Sequence, residues 1–112
     1  MTESLPPKQR IKIPRQAMPE QSPLERAHNF GEVNLGLGLA AAECEAQRCL
    51  ECADPKCVHG CPVGVQVREF VHLVLQGEYL QAAAKIREDN IMPAVTGRVC
   101  PQENQCEGAC VM

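Results

Sequence analysis

The spacing of apolar residues predicts two consecutive amphipathic helices in the second half of the chain. In the first, apolar side chains recur at i, i+3, i+4, i+7 and i+8, on one helical face: Val67, Phe70, Val71, Val74 and Leu75. Gly77 follows in the position of a helix C-cap. The second helix has apolar positions at Tyr79, Leu80, Ala83 and Ile86, and Asn90 lies beyond its end. We expect the two helices to pack as a hairpin.

Further helical segments flank this pair. An Ala- and Glu-rich stretch from about Leu37 to Leu50 contains strong helix formers and leads into the first cysteine group. On the other side, Pro93 opens a short helical turn that leads to Cys100. No segment alternates apolar and polar residues as a strand does, so the predicted fold class is all-α, built of short helices.

The amino-terminal segment differs in composition from the rest of the chain. Five prolines in the first 23 residues are interleaved with basic residues: Pro6, Pro7, Pro14, Pro19 and Pro23 with Lys8, Arg10, Lys12 and Arg15. Such a composition cannot sustain a helix. We therefore expect residues 1–35 to form an extended or disordered arm, and residues 36–112 to form one helical domain.

Composition and charge exclude several classes of partner. The 112 residues fit a single domain, and 11 Lys and Arg against 14 Asp and Glu give a net charge of −3. This balance provides no basic field for nucleic acid or an anionic membrane. Because the chain has neither a secretory signal nor an apolar run long enough to span a membrane, we expect a cytoplasmic protein. An aromatic content of 3%, without Trp, predicts a thin core.

Cysteine is the strongest chemical signal in the sequence, since all eight cysteines lie after residue 43. Seven of them form two groups. The first reads C-x2-C-x4-C-x3-C-P, at Cys49, Cys52, Cys57 and Cys61, and the second reads C-x5-C-x3-C, at Cys100, Cys106 and Cys110. Bacterial ferredoxins carry C-x2-C-x2-C-x3-C-P, in which the fourth cysteine serves the other cluster. The first group matches this run with two residues inserted and predicts iron–sulfur clusters.

Two alternatives use the same cysteines. A structural zinc site commonly takes two C-x2-C or C-x2-C/H pairs, whereas only Cys49 and Cys52 form such a pair here. A secreted disulfide scaffold fits the even cysteine count, although in a reducing compartment closely spaced cysteines favour metal binding. The sequence leaves both alternatives open.

Two 4Fe-4S clusters need eight ligands, and the two groups supply seven. Cys44 lies in the Ala- and Glu-rich helix five residues before Cys49, where the two side chains point to different faces. We interpret Cys44 as a helix residue rather than a ligand. Glu103 lies between Cys100 and Cys106, and its carboxylate can bind iron in place of a thiolate. An ordinary solvated loop residue is the alternative for Glu103.

Several groups beside the cysteines are candidates for tuning a cluster. Arg48, Lys56 and Arg98 would favour the reduced, more negative form, with solvent-facing charges as the alternative. Backbone amides at the glycines would act in the same direction, at positions 60, 64, 97 and 108.

Five segments, spread over nearly the whole chain, carry a family resemblance: Met18-Pro-Glu-Gln, His28-Asn-Phe-Gly-Glu-Val, Ala46-Gln-Arg-Cys-Leu-Glu-Cys, Cys57-Val-His-Gly-Cys-Pro-Val-Gly-Val and Thr96-Gly-Arg-Val-Cys-Pro-Gln-Glu-Asn-Gln-Cys-Glu-Gly-Ala-Cys. They resemble the amino-terminal iron–sulfur domain of NADPH-dependent glutamate synthase small (beta) subunits. The same domain occurs in the large subunit of NADH-dependent ferredoxin:NADP oxidoreductase and in dihydropyrimidine dehydrogenase. The resemblance implies an alpha-helical ferredoxin fold that holds two 4Fe-4S clusters in two cysteine-rich loops.

The resemblance also implies crossed ligation. One cluster takes Cys49, Cys52, Cys57 and Cys110, and the other takes Cys61, Cys100 and Cys106, with Glu103 as its fourth ligand on the pattern of the NADH-dependent ferredoxin:NADP oxidoreductases. In dihydropyrimidine dehydrogenase the last ligand is instead a Gln downstream of the final cysteine. This chain stops at Met112, two residues past Cys110, so the fourth ligand of the second cluster stays open.

The function implied by the resemblance is electron transfer. No G-x-G-x-x-G occurs in the chain, so FAD and NADPH are expected only in the parent protein, beyond residue 112. The clusters would relay electrons between the flavin domains of the same polypeptide and a partner oxidoreductase subunit, without catalysis by this segment alone. The alternative is a zinc-binding or metal-free structural module that docks subunits.

Overall fold

The computed structural model describes residues 4–112 and consists of short helices joined by loops. The helices are α1 (Pro7–Arg10), α2 (Pro23–Arg26), α3 (Leu39–Arg48), α4 (Lys56–Gly60), α5 (Val67–Leu75), α6 (Tyr79–Arg87), α7 (Pro93–Val99) and a 3-10 turn (Gln102–Asn104). Within these residues the chain has no strand beyond an isolated antiparallel bridge between Glu20 and Asn34. The predicted all-α class is confirmed.

The helices predicted from apolar spacing are present, but part of the apolar face predicted for α6 is wrong: Tyr79 and Leu80 are 39% and 89% exposed, and Ala82 is the buried residue instead. Helix α5 follows the predicted apolar face, and Gly77 beyond its end has a left-handed φ of +79°, as the C-cap prediction requires. Helix α3 is shorter than the predicted span because Gly38 caps its start and Cys49 turns to extended backbone at its end. The five-residue helix α4 inside the first cysteine loop was not predicted.

The prolines of the arm begin two single-turn helices, so the expectation that this composition cannot sustain a helix is wrong at these two positions. Proline occupies the first position of α1 and of α2, where its missing N–H has no intrahelical partner to lose. At α2 the Ser22 hydroxyl accepts from the Glu25 amide at 3.3 Å, and the Glu25 carboxylate accepts from the Ser22 amide at 3.2 Å. This capping box fixes the turn.

Helix α5 is central to the domain and packs against α3, α4 and α6. The buried apolar residues of the described chain are few and mostly small: Ala46, Val65, Leu75 and Ala82. A fully buried Val or Leu side chain contributes roughly 1.5–3 kcal/mol, so this core is thin, as the aromatic-poor composition predicts. No helix among residues 4–112 has both the length and the apolar character needed to cross a bilayer.

Candidate metal centre

The first cysteine loop runs from the end of α3 through α4. Cys49 has extended backbone directly after α3, and Glu51 has a left-handed φ of +53° that non-glycine residues seldom adopt. Pro55 precedes the first turn of α4, which carries Cys57. The two inserted residues of the C-x4-C spacing therefore give room for a short helix within the loop.

Four thiols from both cysteine groups line one small cavity of about 40 Å³. Cys49, Cys52 and Cys57 come from the first loop, and Cys110 comes from the second group near the end of the chain. The remaining walls are Leu50, Pro55, Lys56, Arg68, Val111 and Met112. The structure thus brings together the four cysteines that the family resemblance assigns to one cluster.

Burial favours the protonated form of the Cys49 and Cys57 thiols in this cavity. Burial raises the pKa of the Cys49 thiol; a backbone hydrogen bond from Glu51 opposes this effect, and the neighbouring Cys110 and Cys52 add to it. Burial likewise raises the pKa of the Cys57 thiol, and Cys110 again contributes. Packed thiols resist ionisation together, whereas a bound metal cation deprotonates a coordinating thiol outright. The donor set is therefore one that a thiophilic metal can use.

Of the second set of predicted ligands, Cys61 and Cys106 lie near each other. Burial raises the pKa of the Cys106 thiol, and the nearby Cys61 adds to this effect. Cys100 has extended backbone directly after α7, and Glu103 lies exposed on the 3-10 turn. The structure therefore brings Cys61 towards Cys106, while Cys100 and Glu103 lie on the flanking chain.

None of the His, Cys, Asp and Glu side chains of residues 4–112 form a group of three or more that could hold a single metal ion. A 4Fe-4S cluster does not require such a group, because each of its four thiolates binds a different iron. Cys44 lies within α3, as predicted, and does not line the four-thiol cavity.

The cations that the sequence suggests as tuning groups each form an ion pair with a carboxylate: Arg48 with Glu45 at 2.6 Å, Lys56 with Asp54 at 2.5 Å and Arg98 with Glu32 at 2.8 Å. Their charges are partly compensated by these partners. Sequence reasoning missed two other arginines that contact the first loop directly. Arg10 of the arm donates to the Cys49 carbonyl, and Arg68 of α5 donates to the Cys52 carbonyl at 3.0 Å.

Gly60 lies where the two cysteine loops pack against each other. A Cβ atom at this position would lie 2.7 Å from the Gln105 carbonyl oxygen and 2.8 Å from the Ala109 Cβ. Both distances are shorter than carbon contacts allow, so only glycine permits this approach. The sequence suggested Gly60 as an amide donor, but it did not reveal this close contact.

Replacing Gly60 by Ala is expected to lower the free energy of unfolding by about 1–3 kcal/mol, because one loop must move away from the other. Gly97 is the matched control, since it lies within α7 and a Cβ there would meet nothing within 4 Å. Gly97→Ala should be stabilising by roughly 0.5–1 kcal/mol, as for other helical glycines. Chemical denaturation, monitored by circular dichroism, measures the free energy of unfolding of each variant. Equal values for the two variants would contradict the close contact.

Closely spaced cysteine thiols gathered on loops are the usual ligands of iron–sulfur clusters. This chain belongs to one family of iron–sulfur proteins, since residues 26–112 match the family described as dihydropyrimidine dehydrogenase domain II, 4Fe-4S cluster. The family resemblance drawn from the sequence is confirmed.

The chain is also similar to small chains of glutamate synthase from several bacteria. The glutamate synthase (NADPH) small chain of Halomonas elongata is 39% identical over 95 residues, which cover 84% of this chain and 20% of the relative. The Escherichia coli K12 protein of the same name is 36% identical over 95 residues, with the same two coverages of 84% and 20%. The Azospirillum brasilense small chain is 34% identical over 98 residues, covering 87% of this chain and 20% of the relative. The chain spans about a fifth of the length of these relatives.

Proposed function

We propose that this domain holds two 4Fe-4S clusters and transfers electrons through them. The observation that carries the proposal is the cavity lined by four thiols, because its members come from both cysteine groups. In this proposal the first cluster takes Cys49, Cys52, Cys57 and Cys110. The second takes Cys61, Cys100 and Cys106, with Glu103 as the fourth ligand.

The residues around the cavity fit such a cofactor. Thiolates are the soft ligands that iron–sulfur clusters take. Leu50, Pro55 and Val111 supply apolar walls, and Lys56 and Arg68 supply positive charge. A bound cluster exchanges one electron with a redox partner, while the chain holds the thiolates in place and sets the surrounding charge and polarity.

The wider context of the domain is also a proposal. The relatives named above are NADPH-linked glutamate synthase small chains, and this chain corresponds to about a fifth of their length. We infer that the domain passes electrons between a flavin bound elsewhere in the same polypeptide and a partner subunit, with FAD and NADPH bound beyond residue 112. This segment then carries electrons without turning over a substrate itself.

Anaerobic reconstitution with iron and sulfide tests the proposed function. Two clusters correspond to about eight irons and eight sulfides per chain, with broad visible absorption that bleaches on reduction. Iron, sulfide and zinc analysis of the same sample distinguishes the outcomes. A chain that takes up stoichiometric zinc and neither iron nor sulfide would be a structural zinc module instead.

A further inference from the structure

Arg10 is the one buried charged side chain among residues 4–112, at 3% exposure. A buried charge is costly unless it is paired and hydrogen-bonded, and the Arg10 guanidinium meets both conditions. Its Nε donates to the Leu5 carbonyl at 2.6 Å, and its Nη2 lies 3.1 Å from the Glu51 carboxylate. It also donates to the Ser4 hydroxyl and to the Cys49 carbonyl. The guanidinium therefore joins the arm to the first cysteine loop, 39 residues away in sequence.

A second arginine, on helix α5, binds the same loop. Arg68 of α5 donates to the Cys52 carbonyl at 3.0 Å, and it lines the four-thiol cavity. The carbonyl groups at the two ends of the Cys49–Cys52 segment are thus each bound by a guanidinium group. Arg68 forms no ion pair among the described residues, and Glu51 and Glu69 line a neighbouring pocket together with it, so its charge near the thiols is only partly offset.

Between these two carbonyls, the side chain of Glu51 holds the left-handed backbone conformation of this residue in place. Its left-handed backbone is unfavourable for a residue with a Cβ, and its carboxylate is held by Arg10 on one side and by the His72 ring of α5 on the other. The arm and α5 therefore hold the short segment between them. The directions of the Cys49 and Cys52 side chains follow from this backbone conformation.

We propose that Arg10 and Arg68 are positioning residues for the first cluster, so that the amino-terminal arm is part of the cluster site. This inference rests on the proposed function. Arg10 holds the Cys49–Cys52 backbone in the conformation that directs both thiolates into the cavity. Arg68 holds the other end of the segment, and its charge favours the reduced, more negative cluster and so raises the reduction potential.

Substitutions separate the geometric role from the charge. Arg10→Met removes both the hydrogen bonds and the charge, whereas Arg10→Lys keeps the charge but loses the planar fork that reaches several acceptors at once. Arg68→Met and Arg68→Lys form the equivalent pair on α5. Arg26→Met is the matched control, because Arg26 is an exposed arginine of the same arm.

The measurements are made on the full chain reconstituted with iron and sulfide. We expect a chelator to remove iron from the first cluster at least about tenfold faster in Arg10→Met than in Arg26→Met, a difference of about 1.4 kcal/mol, with Arg10→Lys intermediate. The second cluster should release iron at the same rate in Arg10→Met as in Arg26→Met. Arg68→Met should shift the midpoint potential of the first cluster to a more negative value. Arg68→Lys keeps the positive charge, so its midpoint potential should stay close to that of the unsubstituted chain.

The following results would overturn the inference. Release rates and potentials equal to those of Arg26→Met would show that neither arginine positions the loop, and equal loss of both clusters would assign Arg10 to the general stability of the fold. If Arg10→Met does not fold by circular dichroism, Arg10→Lys decides the question by the same comparison. An unsubstituted chain that takes up no iron would refute the proposed function, and this inference with it. Iron uptake by the unsubstituted chain with normal behaviour of the variants would refute only the inference.

Discussion

Replacing Cys110 by Ala is expected to eliminate the same cluster as replacing Cys49 by Ala. Cys110 lies 61 positions after Cys49, yet both thiols line the cavity of about 40 Å³ beside Cys52 and Cys57. Each corner iron of a 4Fe-4S cluster needs its own ligand, and the first loop supplies three thiolates to this cavity. Each substitution should therefore lower the iron content from about eight to about four per chain, and leave the same residual spectrum.

Electron paramagnetic resonance of the reduced variants checks this pairing. Cys106→Ala should leave the complementary spectrum, because Cys106 lies near Cys61 rather than in the four-thiol cavity. Cys44→Ala is the control for a cysteine in helix α3 outside the cavity, and it should retain both clusters. A residual spectrum of Cys110→Ala that matches Cys106→Ala instead of Cys49→Ala would reject the crossed ligation.

Much of the fold could be predicted because its main helices carry local signals. The apolar spacing at Val67 to Leu75 predicts helix α5, and Gly77 marks its end, so both agree with the structure. Helix α4 is too short to show a period, and two of the residues in and after it, Cys57 and Cys61, carry a metal-ligand signal instead. The single turns of the arm were missed because Pro7 and Pro23 were interpreted as helix breakers, although proline also favours the first position of a helix.

The candidate site was predictable in its residue types but only partly in its geometry. The cysteine spacing separates two groups, whereas the assignment of Cys110 to the first group came from the family resemblance. The role of Arg10 has no local signal, since its partners Cys49 and Glu51 lie 39 and 41 residues away. The same holds for Gly60, whose contact with Gln105 exists only after the two loops have packed.

Removing iron is expected to leave the hairpin of α5 and α6 folded while both cysteine loops become mobile. The buried residues Leu75 and Ala82 lie on these two helices, and α5 packs directly against α6. The loops contain few buried apolar side chains, and the whole described chain has no large side chain that is fully buried. Where the apolar core is this small, the free energy of metal binding becomes free energy of folding.

Hydrogen exchange of the iron-free and reconstituted chains measures this difference segment by segment. Amides of the loops at 49–61 and 100–110 should exchange at least about 100-fold more slowly with iron bound, which corresponds to about 2.7 kcal/mol of local stabilisation. Amides of α5 and α6 serve as the internal control and should change by less than about tenfold, because α5 packs mainly against α6 and neither helix carries a proposed ligand. Equal protection of the loops in both samples would show that the polypeptide alone holds them, and that the clusters bind a site that is already formed.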